Sequence, residues 1–255
     1  SDYSIIDTGT SASGSGWIDA STSGVTNVKV KFDFGIDPML IRWSSSQGTD
    51  YGITSQILCW ETDESTYAGG VPLTSGSYIV GGMKGRSFIL VWTDTSLYRM
   101  RPDPISGYTI ELLSDDISIA SVNSMIFAND GSAYWMGREK FYKFDGSVTV
   151  VECPVMDFVF NDLNSLQFGK CFAGENSAFS EVTWFYPSSS LSNSYVEVDK
   201  YVTYNYEQNV WYFGSFADYA ISDYESTGIS IAAEKNRTAW VDSGLSIYPL
   251  AAYQY

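Results

Sequence analysis

Histidine is absent from this chain of 255 residues, and basic residues are scarce: 14 Lys and Arg stand against 30 Asp and Glu, a formal charge of −16. Without imidazole, the common Ser–His and Cys–His nucleophile pairs cannot form. The scarcity of cations argues against a sequence-reading or tightly DNA-binding role, because such a surface repels phosphates. It leaves open DNA sliding past a wall of carboxylates without sticking. The cysteines Cys59, Cys153 and Cys171 form no close pair, and three thiols with no histidine cannot complete a tetrahedral zinc site. The expectation is buried, reduced thiols, with no metal and no cofactor. Long apolar runs are missing too. No stretch approaches the roughly 20 residues that span a bilayer, and the opening residues lack the basic and apolar regions of a secretory leader. A soluble chain with no membrane insertion is expected.

Aromatic residues are abundant instead, at 16% with 19 Tyr, while only 17% of residues are charged. That balance suits sheet surfaces better than helices. Residues 181 to 214 read as a complete meander. One strand runs through Val182, Trp184 and Tyr186 and stops at Pro187 and a serine cluster; a second runs through Tyr201 to Tyr206; Glu207 to Asn209 turn the chain; Val210 to Phe213 begin a third, which Gly214 ends. Looser copies occur at 88–100, 132–146 and 237–249. The last reads as Trp240, a turn at Asp242 to Gly244, and a strand over Leu245, Ile247 and Tyr248. Steps between Trp43, Trp92, Trp135, Trp184 and Trp240 are 49, 43, 49 and 56 residues. Propeller blades repeat at roughly 40 to 50 residues. The predicted fold is all-β: a β-propeller-like domain of four-stranded meander blades, incomplete or open. Its blade signature is Trp43, Trp92, Tyr98, Trp135, Tyr142, Trp184, Trp211 and Trp240.

Residues 1–35 read as an N-terminal arm and first strand, rich in Ser, Gly and Thr until alternation begins at Val25, and 36–255 as the propeller-like body. Met39 to Trp43 and residues 56–60 are short strands. Gly69-Gly70, Gly81-Gly82 and Gly85 are read as hairpin turns bounding strands at Ser77 to Val80 and Ser87 to Trp92; GGMKG lacks the spacing of a phosphate-binding loop. Residues 114–127 allow at most a short helix or turn near Ser121 to Ser124. Residues 148–160 read as strand, a break at Pro154, and one helical turn before Asn161.

No catalytic constellation emerges, and no enzyme is expected. Glu181, Glu197 and Asp199 lie near aromatic residues and would be the carboxylates of a glycoside hydrolase, yet a chain with 30 acids guarantees such neighbours. Asn129 to Ser132 half-matches the Asp box of propeller sialidases, and Asn236-Arg237-Thr238 fits a glycosylation acceptor.

ILVWTDTSLY at 89–98, YWMGREKFYKFDG at 134–146, EVTWFYPSSS at 181–190, DKYVTYNYEQNVWYFG at 199–214 and RTAWVDS at 237–243, with TSGSYIVGGM at 74–83, carry a further signal. Together they resemble a bacteriophage virion protein family similar to the packaged-DNA stabilisation or tail nozzle (tail hub) proteins of short-tailed phages. The resemblance implies a structural protein of the virion, assembled in the host cytoplasm as a homo-oligomeric ring of six. The ring would sit beside portal or adaptor and fibre or needle proteins, continuing the DNA channel and helping to retain packaged DNA until ejection. On that reading Asp63, Glu64, Asp115 and Asp116, in polar turns, are the candidate channel-facing acids. The alternative is a receptor- or glycan-binding tail protein that stacks exposed Tyr and Trp on host sugars.

Overall fold

A computed structural model describes residues 18–19, 29–32, 37–44, 68–189, 198–215, 238–241 and 250–253. Their β-branched and aromatic runs form strands, each closed by the Ser, Asp and Gly clusters that favour turns. The first sheet comprises β1 (Ile18–Asp19), β2 (Lys29–Phe32), β3 (Leu40–Trp43) and β4 (Gly69–Pro72). The second comprises β5 (Ile79–Lys84), β6 (Ile89–Thr93), β7 (Leu97–Asp103) and β8 (Gly107–Ser114). β9 (Met125–Phe127), β10 (Ala133–Met136), β11 (Phe141–Phe144) and β12 (Val148–Val151) make the third; β13 (Phe172–Asn176), β14 (Glu181–Tyr186), β15 (Lys200–Asn205) and β16 (Val210–Ser215) the fourth. In each sheet neighbours in space are neighbours in sequence and run antiparallel. The fold is therefore all-β and built from four-stranded meanders of the propeller-blade type. A two-stranded sheet, β17 (Thr238–Val241) with β18 (Leu250–Tyr253), completes the described strands.

Contacts divide the chain into two compact units, Ser1–Ser118 and Ile119–Tyr255. β1 and β2, expected as an arm and first strand, are hydrogen-bonded into the same sheet as β3 and β4. In the first unit, Ile41 and Trp43 of the first sheet pack on Ile79, Ile89, Val91, Tyr98, Met100 and Tyr108 of the second. The Trp43 ring meets the edge of Tyr108 at 5.7 Å. In the second unit the facing sides of the third and fourth sheets share one core. Phe141 lies at its centre, with ring centroids 4.9 Å from Trp184, 4.8 Å from Trp211 and 5.1 Å from Phe160.

The two sheets of the second unit are joined by a turn at Ser121 to Ser124, where the sequence allowed a turn and no helix forms. The Ser121 hydroxyl donates to the Cys171 carbonyl, the Ala173 N–H to the Asn123 carbonyl at 2.8 Å, and the Trp184 indole N–H to the Ser124 carbonyl at 3.0 Å. The described helix α1 (Met156–Asp162) follows Pro154 and is longer than the single turn expected. Val159 and the following Leu163 anchor it in the core, which offsets an N-terminus with no side-chain cap. None of the described helices is long and apolar enough to cross a membrane.

Several expectations are corrected. Gly69-Gly70 and Gly81-Gly82 are not turns but lie within β4 and β5, the latter pair beside a register shift. Gly85 does lie in a turn, its N–H donating to the Phe88 carbonyl. Likewise Gly214 does not end the third strand of its meander; it lies inside β16. The reason is close approach: Gly69 pairs across the ladder with Trp43 and Gly214 with Tyr201, so a Cβ at Gly69 would stand 2.7 Å from the Trp43 ring and one at Gly214 2.4 Å from the Tyr201 ring. Trp92 faces Gly81, Trp184 faces Ala173 and Trp240 pairs with Ala251 in the same wide-against-small manner. The strand paired with β17 is Leu250–Tyr253; residues 245–248, expected to fill that role, lie outside the described residues, as do residues 56–60.

Two outcomes follow from this packing. Trp43 is buried and cannot swing aside, so Gly69→Ala is expected to cost about 1–3 kcal/mol in denaturant unfolding. Gly214→Ala should cost less, because the half-buried Tyr201 ring can move. Burial pushes the Cys153 thiol up to about 11 and the Cys171 thiol up to about 12. Native protein at neutral pH should leave both unlabelled by a thiol reagent, peptide by peptide, and unfolding should expose both.

Candidate functional site

The blade-signature residues follow the sheets but share no single position. Trp92, Trp135 and Trp184 occupy the second strand of three successive sheets; Trp43 lies on a third strand and Trp211 on a fourth. Their facing differs as well. Trp184 points into the core between the sheets of its unit, whereas Trp135 stacks on Tyr142 at 5.2 Å, across from the Tyr134 and Met136 side chains that enter that core. Trp43, Trp92, Trp135 and Trp184 are all buried, as are Tyr98 and Tyr142. Trp211 is half-buried, its indole N–H donating to the Glu152 carbonyl at 2.9 Å. Trp240 lies on β17.

Of the four candidate channel acids, Asp63 and Glu64 lie outside the described residues. Asp115 and Asp116 are exposed at the bend that follows β8. The Ile117 N–H donates to the Thr95 carbonyl at 3.0 Å, which sets this bend beside the β6–β7 turn and its Asp94. That end of the second sheet is therefore acidic, while Lys84 and Arg86 lie around the β5–β6 turn at the other end.

The suggested hydrolase carboxylates do not form a pair. Glu181 starts β14 opposite Asn205, whereas Asp199 immediately precedes Lys200, the partner of Tyr186 at the far end of the strand. Six residues of strand separate the two levels, about 20 Å, against the roughly 5 to 9.5 Å between the carboxyl groups of a glycosidase. Asp199 is occupied as well: Ser188 donates its N–H to one carboxylate oxygen and its hydroxyl to the other, both at 2.6 Å. Glu197 lies outside the described residues.

What the second unit does assemble is a fixed set of carboxylates at the end where β9–β10, β11–β12, β13–β14 and β15–β16 turn. In the β9–β10 turn, Gly131 takes φ 84° and Asp130 accepts the Ser132 N–H and the Tyr134 hydroxyl, each at 2.8 Å. This is the Asp-box-like segment, and its aspartate holds the hairpin shut. Glu175, at the end of β13, accepts the Asn129 N–H at 2.6 Å and the Tyr206 hydroxyl at 3.0 Å through one oxygen. The Tyr134 and Tyr206 rings stack at 5.7 Å, so the turns of the two sheets form one surface. Glu207 accepts from the Ser180 hydroxyl at 3.1 Å, and Asp145 pairs with Lys143 at 3.1 Å. Lys143 lies 5.8 Å over the Tyr134 ring and is the cation of this end among the described residues. Arg138, Lys140, Lys170 and Lys200 belong to the opposite end, where Lys200 meets Asp162 at 2.7 Å.

Burial first, and then the hydrogen bond to Asp130, hold the Tyr134 phenol far above its ordinary value; burial and then the charge of Glu175 do the same for Tyr206. Both phenols therefore remain neutral donors that orient the carboxylates of Asp130 and Glu175. This geometry presents a set of carboxylates held in place by hydrogen bonds. The residues that build it, Asp130, Asp145, Glu175 and Glu207, were missed as a group in the sequence. The one signal was the Asp-box-like Asn129 to Ser132.

Neither a protein-family model nor a curated protein matches the chain.

A phenol whose folded-state value lies above its unfolded value near 10.0 stabilises the protein fully below that pH and loses the contribution as pH rises toward the folded-state value. Unfolding free energy should thus fall as pH is raised above about 10. Tyr206→Phe, which removes one such phenol, should flatten the decline in urea titrations at stepped pH.

Proposed function

We propose that this chain is a structural virion protein of a phage tail, a component of the nozzle, hub or connector ring that continues the DNA channel and helps retain packaged DNA until ejection. The observation that carries the reading is the acidic end of the second unit, where Asp130, Asp145, Glu175 and Glu207 are held in place against one lysine among the described residues. A passage for a polyanion needs a wall that repels phosphate, and fixed carboxylates supply it without ordering cost. Stiff meanders with aromatic cores suit a ring component, and the sequence blocks at 74–83, 89–98, 134–146, 181–190 and 199–214 that resemble tail nozzle proteins fall on or beside them. In this reading Asp63, Glu64, Asp115 and Asp116 add to the channel wall. The partners are further copies of the chain in a ring of six, the adjoining portal or adaptor, and fibre or needle proteins.

Among the described residues, glycan binding through stacked tryptophan is less well supported, since Trp43, Trp92, Trp135 and Trp184 are buried and Trp211 is half-buried.

The test is the copy number of the chain in purified particles, by quantitative mass spectrometry against the major capsid protein. About six copies are expected, as one sixfold ring requires. A multiple of three confined to peripheral appendages, or absence from the particle, would overturn the reading. So would a particle reconstruction that sets Asp130 and Glu175 on the outer wall.

A further inference from the structure

Asp162 ends α1 and Lys200 begins β15, and the pair they form is unlike a surface ion pair. The Lys200 Nζ lies 2.7 Å from Asp162 Oδ2, with the two side chains 20% and 18% exposed. Lys143 and Asp145, by contrast, stand 3.1 Å apart at 29% and 48%. Aromatic surface flanks the sheltered pair. The Lys200 ammonium lies 5.8 Å over the Phe158 ring, and Lys200 is directly opposite Tyr186 in the β14–β15 ladder, which puts both side chains on one face of the sheet.

Backbone bonds fix the carboxylate in place. The Asp162 carbonyl accepts the Ser189 N–H, Leu163 bridges to Ser188, and the Asn164 N–H donates to the Pro187 carbonyl at 3.0 Å. Tyr186 is fully buried, and its hydroxyl has no hydrogen-bond partner among the described residues. Burial first, and then the charges of Asp162 and Asp199, hold this phenol above its ordinary value, so it keeps its proton. An unpaired buried donor is costly, and this one stands near a carboxyl group.

We propose that Lys200 and Asp162 condense to an amide, a covalent crosslink between β15 and α1 within one chain. The proton of the ion pair first passes from Nζ to the carboxylate, giving amine and acid; an apolar flank favours that transfer, because neutral groups need little solvation. The amine nitrogen then attacks Asp162 Cγ. The N–C bond forms, the C–OH bond breaks, and the hydroxyl leaves as water with a proton from the nitrogen. Nothing is oxidised or reduced, and no co-reactant enters. Tyr186 is the buried donor for the carboxyl oxygen as charge builds there, and it ends the reaction unchanged. Groups held together in this way react at an effective molarity of about 10⁵ M or more, which favours the amide over its hydrolysis. The crosslink also meets a local need. α1 has seven residues and no side-chain N-cap, too few to persist without anchoring. The inference goes beyond the proposed place in the virion and does not depend on it.

Intact-mass spectrometry of the whole chain, followed by a tryptic map, tests it. The expected mass is that of the sequence less one water, with no cleavage after Lys200 and a branched peptide joining Asp162 to Lys200. Lys200→Arg keeps the charge and Asp162→Ala removes the carboxyl; each should restore the full mass, with circular dichroism to check the fold. Asp145→Ala, at the open pair, should leave the deficit in place. The full sequence mass in folded, unaltered protein overturns the proposal and leaves a plain ion pair. So does a lost water that maps elsewhere, such as Asp130-Gly131, or that persists in both variants of the pair.

Discussion

The indole of Trp184 is the interaction on which the second unit depends. Its N–H reaches the Ser124 carbonyl, while its ring lies against Phe141 and stacks 6.0 Å from Trp211. One side chain thus ties the fourth sheet to the turn that leads into the third and fills the space between them. A buried indole N–H without an acceptor is costly, so this bond also fixes which way the ring enters the core. The serines of that turn complete the junction. The Ser124 N–H and hydroxyl donate to the Ser121 and Met136 carbonyls, and the Ser121 hydroxyl donates to the Cys171 carbonyl. Small hydroxyl side chains succeed here because they satisfy backbone groups in a junction with no room for a ladder.

The acidic end of the second unit follows from the rigidity so produced. Carboxylates on free loops would wander, and their repulsion would average over many positions. Here Asp130 and Glu175 accept N–H groups of the β9–β10 turn, and Tyr134 and Tyr206, rooted by their rings, supply hydroxyl donors. The same tyrosines bury their apolar bodies against the sheets, so one residue type serves both core and charged surface. A protein with few cations can keep such a surface unneutralised, and Lys143 relieves only part of it.

Strand content was legible because alternation and β-branched runs are local. The meander over 181–214 was read closely except where β16 runs on through Gly214, and the turn at Glu207 to Asn209 is where Asn209 takes φ 55° and the Asn205 side chain accepts the Glu207 and Gln208 N–H groups. Glycines misled for a physical reason: in sequence a Gly pair looks like a turn, while in β4 and β5 it makes room for an indole on the next strand. Tryptophan spacing reported the sheet repeat and not the facing, since a shift of one residue along a strand turns the ring to the other side. The carboxylate group was illegible because Asp130 belongs to the third sheet and Glu175 and Glu207 to the fourth, and those sheets meet here only through tertiary contacts such as the Asn129 N–H to Glu175 bond and the Tyr134–Tyr206 stack.

Composition and pattern alone determined that this is an acidic, histidine-free, all-β protein of repeated meanders, because those properties depend on residue type and on contacts a few positions apart. Tertiary structure decided which rings enter which core, which acids are consumed in internal bonds and which face water. Asp199 and Asp130 are equivalent as letters, yet Ser188 takes both oxygens of the first in a buried site, while the second is exposed and anchored by the hydroxyl of the buried Tyr134. Such differences depend on partners distant in the chain, and only folding brings those partners within hydrogen-bonding reach.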